Sequence, residues 1–330
     1  MCRTCMVYNA KIIRKIIDLL GDVIMNQILY QGNRKLNKKK VIGASAIAGV
    51  LLLIIIFLIV NGVQKSIQEK EAIIREQKIQ ELRLKEEEEK RQAEEKRKAE
   101  ILQKKYLPIN EEEFIKLDNI YEHSDTKRVL LTFDDGPTEA VTPFILDFLN
   151  EQKIKANFFV LGNMVERYPS LVKREYDEGH YIADHSYSHK YSQIYESTDT
   201  VMEEYNQCNQ LIRDAVGNPN FNSLIFRFPG GSFGGYYASL KSEAKQMLRD
   251  NGIASIDWNA LTNDADGADT KEKILENLYE TTQDKSSIVL LMHDASDKIL
   301  TYETLPDVVN YFRENGYQFQ TFFDVMGRET

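Results

Sequence analysis

Three short segments of this sequence carry residue types that could hold a metal ion and hydrolyse a bond. They are Thr132–Pro137 (TFDDGP), His185–His189 (HSYSH) and Leu291–His293 (LMH). Two imidazoles at positions i and i+4 can face the same side of a turn, and a carboxylate from elsewhere completes three protein ligands with one position open for water. A second aspartate in the first segment and the histidine of the third remain available to move protons. These residues predict a metal-dependent hydrolase.

A non-haem iron oxygenase is the first alternative, because it also uses two histidines and one carboxylate. The first segment, however, contains two adjacent aspartates, Asp134 and Asp135. An oxygenase does not require the second carboxylate, whereas a hydrolase uses one as a general base. The pair therefore favours the hydrolase.

The elements that must position these residues alternate between short apolar runs and amphipathic stretches. The predicted strands are 129–133, 156–161, 181–184, 224–228, 254–258, 288–292 and 319–323. The predicted helices are 140–152, 164–178, 200–215, 237–251, 270–281 and 303–314. Seven strands with intervening helices predict a parallel, barrel-like α/β domain. Residues that follow the strands of such a domain gather at its C-terminal mouth.

Five motifs in this order resemble the polysaccharide deacetylases, carbohydrate esterase family four, which carry the NodB homology domain. The motifs are TFDDGP at 132–137, HSYSH at 185–189, RFPGGS at 227–232, DW at 257–258 and LMH at 291–293. The resemblance covers about residues 128–330. It implies an α/β fold, a distorted (β/α) barrel of about seven parallel strands, which agrees with the alternation of elements.

The resemblance also implies a metal site and a base. Asp135, His185 and His189 look like the three ligands of one divalent metal ion. Carboxylate and imidazole ligands suit Zn²⁺, although Co²⁺, Ni²⁺ or Fe²⁺ fit the same set. Asp134 would be the general base that takes a proton from the attacking water, and Arg227 would hold it ionised and oriented. A buried structural salt bridge is the alternative role of that pair.

On the acid side, the resemblance implies that His293 protonates the leaving sugar amine, with Asp257 tuning its pKa and tautomer. The backbone N–H of Gly230 would help to stabilise the tetrahedral oxyanion. Trp258 and Leu291 would wall a small pocket for the acetyl methyl group. Ordinary core packing is the alternative for the histidine and for these two apolar side chains.

Ahead of the motifs lies an uncharged apolar run at residues 41–60. It has about the 20 residues that a helix needs to cross a ~30 Å hydrocarbon core. Lys38, Lys39 and Lys40 precede it, so the positive-inside rule places residues 1–40 in the cytoplasm and the rest of the chain outside. A cleaved signal peptide is the alternative, but the run exceeds a usual h-region and no small-residue cleavage site follows. We predict a retained single-pass membrane anchor.

The next segment, residues 61–107, is dominated by Glu, Lys, Gln and Arg and predicts a charged helical stalk. Ile67 and Ile74 are one heptad apart and favour a coiled coil near the membrane only. Residues 108–127 are predicted as a linker and 128–330 as the catalytic domain. The net charge of -9 and the mixed signs of the stalk predict no nucleic-acid partner. Cys208 is the only cysteine after the apolar run, which predicts a catalytic domain without a disulfide.

Together these features predict metal-dependent N-deacetylation of N-acetylglucosamine in an extracytoplasmic polysaccharide. Peptidoglycan is the preferred substrate, because an anchor and a stalk set the catalytic mouth at cell-wall distance. Two alternatives stay open. One is an O-acetyl esterase acting on xylan or another glycan, and the other is a non-catalytic carbohydrate-binding envelope protein.

Overall fold

The computed structural model describes residues 38–329, with side chains from residue 47 onward, and eight separate positions between Lys11 and Asn26. Most of the predicted cytoplasmic segment, residues 1–40, therefore lies outside the described residues. The chain divides into two compact units, Met1–Arg91 and Gln92–Thr330.

Helix α1 spans Lys38–Lys105 and begins in the first unit. Its apolar part is long enough to cross a membrane, judged by length and composition alone, and no second helix in the described part of the chain meets that criterion. Most of the apolar side chains described there are exposed, as Leu53 and Phe57 illustrate. Further along, ion pairs such as Lys85–Glu81 (3.0 Å) join residues four positions apart, which is typical of a solvated helix surface.

The second unit is built on a parallel sheet. Its strands are β1 (Arg128–Asp134), β2 (Asn157–Val160), β3 (Tyr181–Asp184), β4 (Ile225–Phe226), β5 (Ala254–Ser255), β6 (Ala260–Leu261), β7 (Ser287–His293) and β8 (Gln318–Phe319). The strand order is β5-β4-β3-β2-β1-β7-β6, with β8 paired to β1. All of these pairings are parallel. The sheet forms a half-barrel, and the predicted parallel α/β barrel fold is confirmed.

Strand β1 is the centre of this sheet. It pairs with β7 along all seven residues, while β8 pairs with its first two residues and β2 with its last three. Its side chains from Val129 to Asp134 are buried, because a central parallel strand is covered on both faces. The β1 and β7 strands therefore end side by side, with Asp134 opposite His293.

Helices cover the sheet. After α1 they are α2 (Glu111–Asp118), α3 (Thr142–Gln152), α4 (Gly162–Arg167), α5 (Pro169–Asp177), α6 (Tyr191–Ile194), α7 (Thr198–Val216), α8 (Ala238–Asp250), α9 (Lys271–Thr282), α10 (Ile299–Glu314) and α11 (Phe322–Met326). The single helix predicted at 164–178 is two helices, because Pro169 lacks an N–H and disfavours helical backbone at Tyr168. The strand predicted at 319–323 is the short β8 followed by α11, which a capping box between Thr321 and Asp324 begins.

The segment predicted as a linker contains α2, and several of its apolar side chains belong to the core. Asn110 and Glu113 form a capping box at the start of α2. Phe114, Leu117 and Ile120 are buried in the same hydrophobic cluster as the strands. This part of the chain therefore contributes to the stability of the barrel domain.

We expect Leu117→Ala to lower the free energy of unfolding by about 2–5 kcal/mol, because it leaves a cavity in the core. Ile115 lies on the same helix but is 52% exposed, so Ile115→Ala should change it by no more than about 0.5 kcal/mol. Denaturant titration of both variants checks this. Equal effects would contradict the packing of α2 against the sheet.

Candidate active site and metal centre

The predicted site residues lie at the C-terminal ends of the strands. Asp134 ends β1 and His293 ends β7. His185 directly follows β3, and Arg227 directly follows β4. Because these parallel strands end at the same edge of the sheet, side chains that are far apart in sequence come together there.

Asp135, His185 and His189 form a group that could hold a metal ion, with one ligand atom from each residue and all three within 4.8 Å of one another. Asp135 Oδ1 lies 3.6 Å from His185 Nε2 and 3.4 Å from His189 Nε2. This oxygen is buried and has no hydrogen-bond partner in the described structure. A cation would satisfy it, so the residues fit a metal.

The tautomer of His185 also suits the binding of a metal ion. Its Nδ1 lies 2.8 Å from the carbonyl oxygen of Arg227 and donates its hydrogen there, which leaves the Nε2 lone pair facing Asp135. Burial lowers the pKa of His185 to about 3 against the opposing effect of the Asp135 charge. The imidazole is therefore neutral at physiological pH, the form that binds a metal.

The backbone at this group is strained. Asp135, Ser186 and His189 have φ angles of 75°, 72° and 57°, a region that costs a non-glycine residue on the order of 1–2 kcal/mol. Local hydrogen bonds hold the loop in place: Asp184 Oδ1 accepts the Ser186 N–H (2.8 Å), and Ser186 Oγ accepts the His189 N–H (3.3 Å). Such strain is characteristic of functional sites.

Asp134 and Arg227 form a buried ion pair beside the metal group. Asp134 Oδ1 accepts from Arg227 Nη1 at 2.7 Å, and its Oδ2 lies 3.7 Å from His185 Nε2. Burial raises the pKa of Asp134, although the positive charges of Arg227 and His293 oppose this rise. The contact between base and arginine that the sequence predicted is present, and one carboxylate oxygen remains available for proton transfer.

His293 is paired with Asp264, a residue that the sequence did not identify. Its Nδ1 lies 2.9 Å from Asp264 Oδ1, and its backbone N–H donates to Asp264 Oδ2 at 2.8 Å. Thr301 Oγ1 also donates to Asp264 Oδ2, at 2.8 Å. Burial lowers the pKa of His293, but the hydrogen bond and charge of Asp264 outweigh it and raise the pKa to about 9. The imidazolium form is therefore favoured below that pH.

The sequence assigned the tuning of the His293 pKa to Asp257, but the carboxylate that pairs with the His293 imidazole is Asp264. Asp257 instead accepts the Ser232 N–H at 2.8 Å and the Ser232 hydroxyl hydrogen. The physical reason is that the loop after β6 carries Asp264 to His293, while Asp257 stays at the end of β5. No sequence motif marks Asp264, which lies among several aspartates of an irregular loop.

The Pro229–Ser232 turn is held by buried side chains. Tyr195 Oη donates to the Pro229 carbonyl oxygen (2.7 Å), and Lys241 Nζ donates to the Gly231 carbonyl oxygen (2.7 Å). Together with Asp257 on Ser232, these contacts fix the turn that carries the exposed Gly230, whose φ is 73°. A positive φ of this size suits glycine.

The two predicted pocket residues occupy different environments. Trp258 is half-buried, and its Cη2 would lie 3.2 Å from a Cβ atom placed on Gly231. Leu291 is nearly buried in β7, opposite Thr132 of β1. The acetyl pocket between them stays a prediction.

We expect Asp264→Asn to move the basic limb of the pH–rate profile to lower pH by about one unit or more, because it removes the charge that raises the pKa of His293. Asp257→Asn should leave the position of that limb unchanged. Measuring kcat/KM from pH 6 to 10 at one fixed metal concentration compares the two variants. A shift with Asp257→Asn alone would restore the pairing predicted from the sequence.

Known proteins resemble this chain in sequence and fold. The family model described as polysaccharide deacetylase matches residues 122–251. The peptidoglycan-N-acetylglucosamine deacetylase of Bacillus cereus is 31% identical over 205 residues, which cover 61% of this chain and 71% of that protein. A CE4 esterase structure from Streptococcus mutans has a TM-score of 0.57 at 30% identity and covers 65% of this chain and 95% of that one.

A longer relative, the peptidoglycan-N-acetylglucosamine deacetylase PgdA of Listeria monocytogenes, is 29% identical over 231 residues. The match covers 69% of this chain but only 44% of that protein, so the chain spans less than half the length of this relative. The family-model match contains Asp134, Asp135, His185, His189 and Arg227, and it ends before Asp264 and His293. The chain therefore belongs to the polysaccharide deacetylase family.

Proposed function

We propose that this protein hydrolyses the acetamido group of N-acetylglucosamine in peptidoglycan and releases acetate. The observation that carries the proposal is a set of two ion pairs beside the candidate metal ligands. In one pair the carboxylate of Asp134 is held by Arg227, and in the other the imidazole of His293 is held by Asp264. This arrangement supplies a proton acceptor and a proton donor at the same strand ends, which amide hydrolysis requires.

The metal is proposed to be a single divalent ion held by Asp135, His185 and His189, with Zn²⁺ preferred and Co²⁺, Ni²⁺ or Fe²⁺ as alternatives. When bound, such an ion polarises a carbonyl group and makes water a stronger nucleophile at neutral pH. The Gly230 N–H is proposed to donate to the oxyanion that develops on the acetyl group.

Proton transfer follows from the hydrogen bonds of the two ion pairs. Asp134 Oδ1 is occupied by Arg227, so Oδ2 is the atom that accepts a proton from the attacking water. His293 Nδ1 is occupied by Asp264, so Nε2 is the atom that donates a proton to the leaving nitrogen. Water adds to the carbonyl carbon, the C–N bond breaks, and the products are acetate and the sugar amine.

The protonation state of His293 bears on the choice between amide and ester hydrolysis. An amine is a poor leaving group unless it is protonated, whereas an ester oxygen depends less on a proton donor. The Asp264 pairing keeps His293 protonated up to a pH of about 9, which favours N-deacetylation over the O-acetyl esterase. The complete set of site residues counts against a non-catalytic envelope protein.

The cellular location is proposed from α1 and from the relatives. A helix long and apolar enough to cross a membrane, with lysines before it, supports a single-pass anchor with a cytoplasmic N-terminus. The names of the relatives from Bacillus cereus and Listeria monocytogenes designate peptidoglycan deacetylases. An anchored domain outside the membrane would reach the same class of polymer.

Asp134→Asn and Asp135→Asn should separate the two carboxylate roles. Asp134→Asn should keep full metal content and lose about 10²- to 10⁴-fold in acetate release, because it removes the general base. Asp135→Asn should lose metal, because it weakens a ligand bond. Metal analysis and acetate release on the purified full-length proteins check this, and equal metal loss in both would contradict the assignment.

The substrate can be tested by acetate release from purified peptidoglycan, a chito-oligosaccharide and acetylated xylan with the full-length protein in detergent. We expect peptidoglycan or the chito-oligosaccharide to be hydrolysed faster than xylan, and a chelator to abolish the reaction. A deletion strain should carry a higher acetylated fraction of wall N-acetylglucosamine than its parent. Activity on xylan alone, with unchanged wall acetylation, would replace this proposal by the esterase.

A further inference from the structure

Tyr191 stands at the edge of the metal group without an assigned role. It begins helix α6, two residues after His189, and its ring centroid lies 5.7 Å from that of His189. The side chain is 43% exposed. A phenol is therefore open to solvent directly beside the candidate metal ligands.

The hydroxyl of Tyr191 lies against Gly230. A Cβ atom placed on Gly230 would overlap the Tyr191 hydroxyl oxygen and lie 3.0 Å from its Cζ. Any other residue at position 230 would thus displace the tyrosine. The hydroxyl occupies space directly over the turn whose N–H is the proposed oxyanion donor.

Neighbouring tyrosine hydroxyls are engaged in hydrogen bonds, and that of Tyr191 is not. Tyr195 Oη donates to the Pro229 carbonyl oxygen (2.7 Å), and Tyr187 Oη donates to Glu166 Oε2 (3.1 Å). For Tyr191 Oη, the described part of the chain offers no hydrogen-bond partner. Its donor capacity is free for a ligand or for water.

The ring that carries this hydroxyl lies beside Tyr195 and Lys241. The centroid of the Tyr191 ring lies 5.7 Å from that of the Tyr195 ring and 5.9 Å from Lys241 Nζ. Tyr195 and Lys241 are the same side chains that fix the Pro229–Ser232 turn. The Tyr191 ring and the Gly230 turn therefore adjoin the same two side chains, and a donor with few positions open to it loses less entropy when it binds.

We propose that Tyr191 is a substrate-binding residue whose hydroxyl donates a hydrogen bond to the N-acetyl sugar bound at Gly230. This inference rests on the proposed function, because the ligand is the sugar of that reaction. It assigns no contact with the metal to Tyr191. Glycine at position 230 is then required for two reasons: the turn has a positive φ there, and the Tyr191 hydroxyl occupies the space that a Cβ atom would fill.

Tyr191→Phe tests the hydrogen bond, because it removes the hydroxyl and keeps the ring. We expect kcat/KM for a chito-oligosaccharide to fall roughly 2- to 10-fold, the loss typical of one neutral hydrogen bond. Metal content and the thermal midpoint should stay at wild-type values. Tyr279→Phe is the matched control, because that tyrosine is 48% exposed on α9 and should change none of these quantities.

Gly230→Ala, measured in the wild-type and Tyr191→Ala backgrounds, tests the proximity. The strain of a positive φ is the same in both, but only the wild type has a tyrosine to displace. The loss of kcat/KM should therefore be smaller in the Tyr191→Ala background. Equal losses, together with wild-type activity of Tyr191→Phe, would overturn the inference.

A binding measurement keeps this test separate from that of the proposed function. If the wild-type protein releases no acetate from any substrate, the proposed function fails, and the dissociation constant for the chito-oligosaccharide replaces kcat/KM. Calorimetry should then give weaker binding for Tyr191→Phe by a similar factor. Equal dissociation constants for wild type and variant would overturn the role of Tyr191.

Discussion

The buried guanidinium of Arg227 is the interaction on which the site depends. Taking this charge out of water costs several kcal/mol, and the cost is offset only if its donors are paired. Its Nη1 donates to Thr132 Oγ1 and Asp134 Oδ1, and its Nε and Nη2 donate to the carbonyl oxygens of Ile256 and Asp257. One side chain thus ties the end of β1 to the residues that follow β4 and β5.

The backbone of Arg227 extends the same network to the metal group. Its N–H donates to the Asp184 carbonyl oxygen, and its own carbonyl oxygen accepts from His185 Nδ1. The orientation of a candidate metal ligand and the orientation of the proposed base are therefore set by one residue. Replacing Arg227 would leave Asp134 as an unpaired buried carboxylate, the most costly way to break such a pair.

The sequence predicted the parallel sheet and the groups at its strand ends because both depend on local patterns. Apolar runs such as Val129–Phe133 and the strand-end motifs are short-range signals, and the contact between Asp134 and Arg227 followed from matching motifs. The pairing of His293 with Asp264 did not, because the path of an irregular loop depends on long-range contacts.

The same limit explains the other differences. Two-residue strands such as β6 are too short for a periodic pattern, and the burial of α2 depends on contacts with strands far along the chain. The boundary between α4 and α5 was in principle readable, since Pro169 marks it in the sequence.

Asp135 and His189 have left-handed backbone, which is unfavourable for the stability of the fold, and their side chains are candidate metal ligands, which function requires. Glycine at either position would relieve the strain and make the folded chain more stable, yet it would delete a candidate ligand. Selection for thermal stability alone would therefore act against both ligand positions, one in the loop after β1 and one in the loop after β3. A stabilised variant with glycine at both positions would keep the barrel fold but would lack two of the three candidate metal ligands.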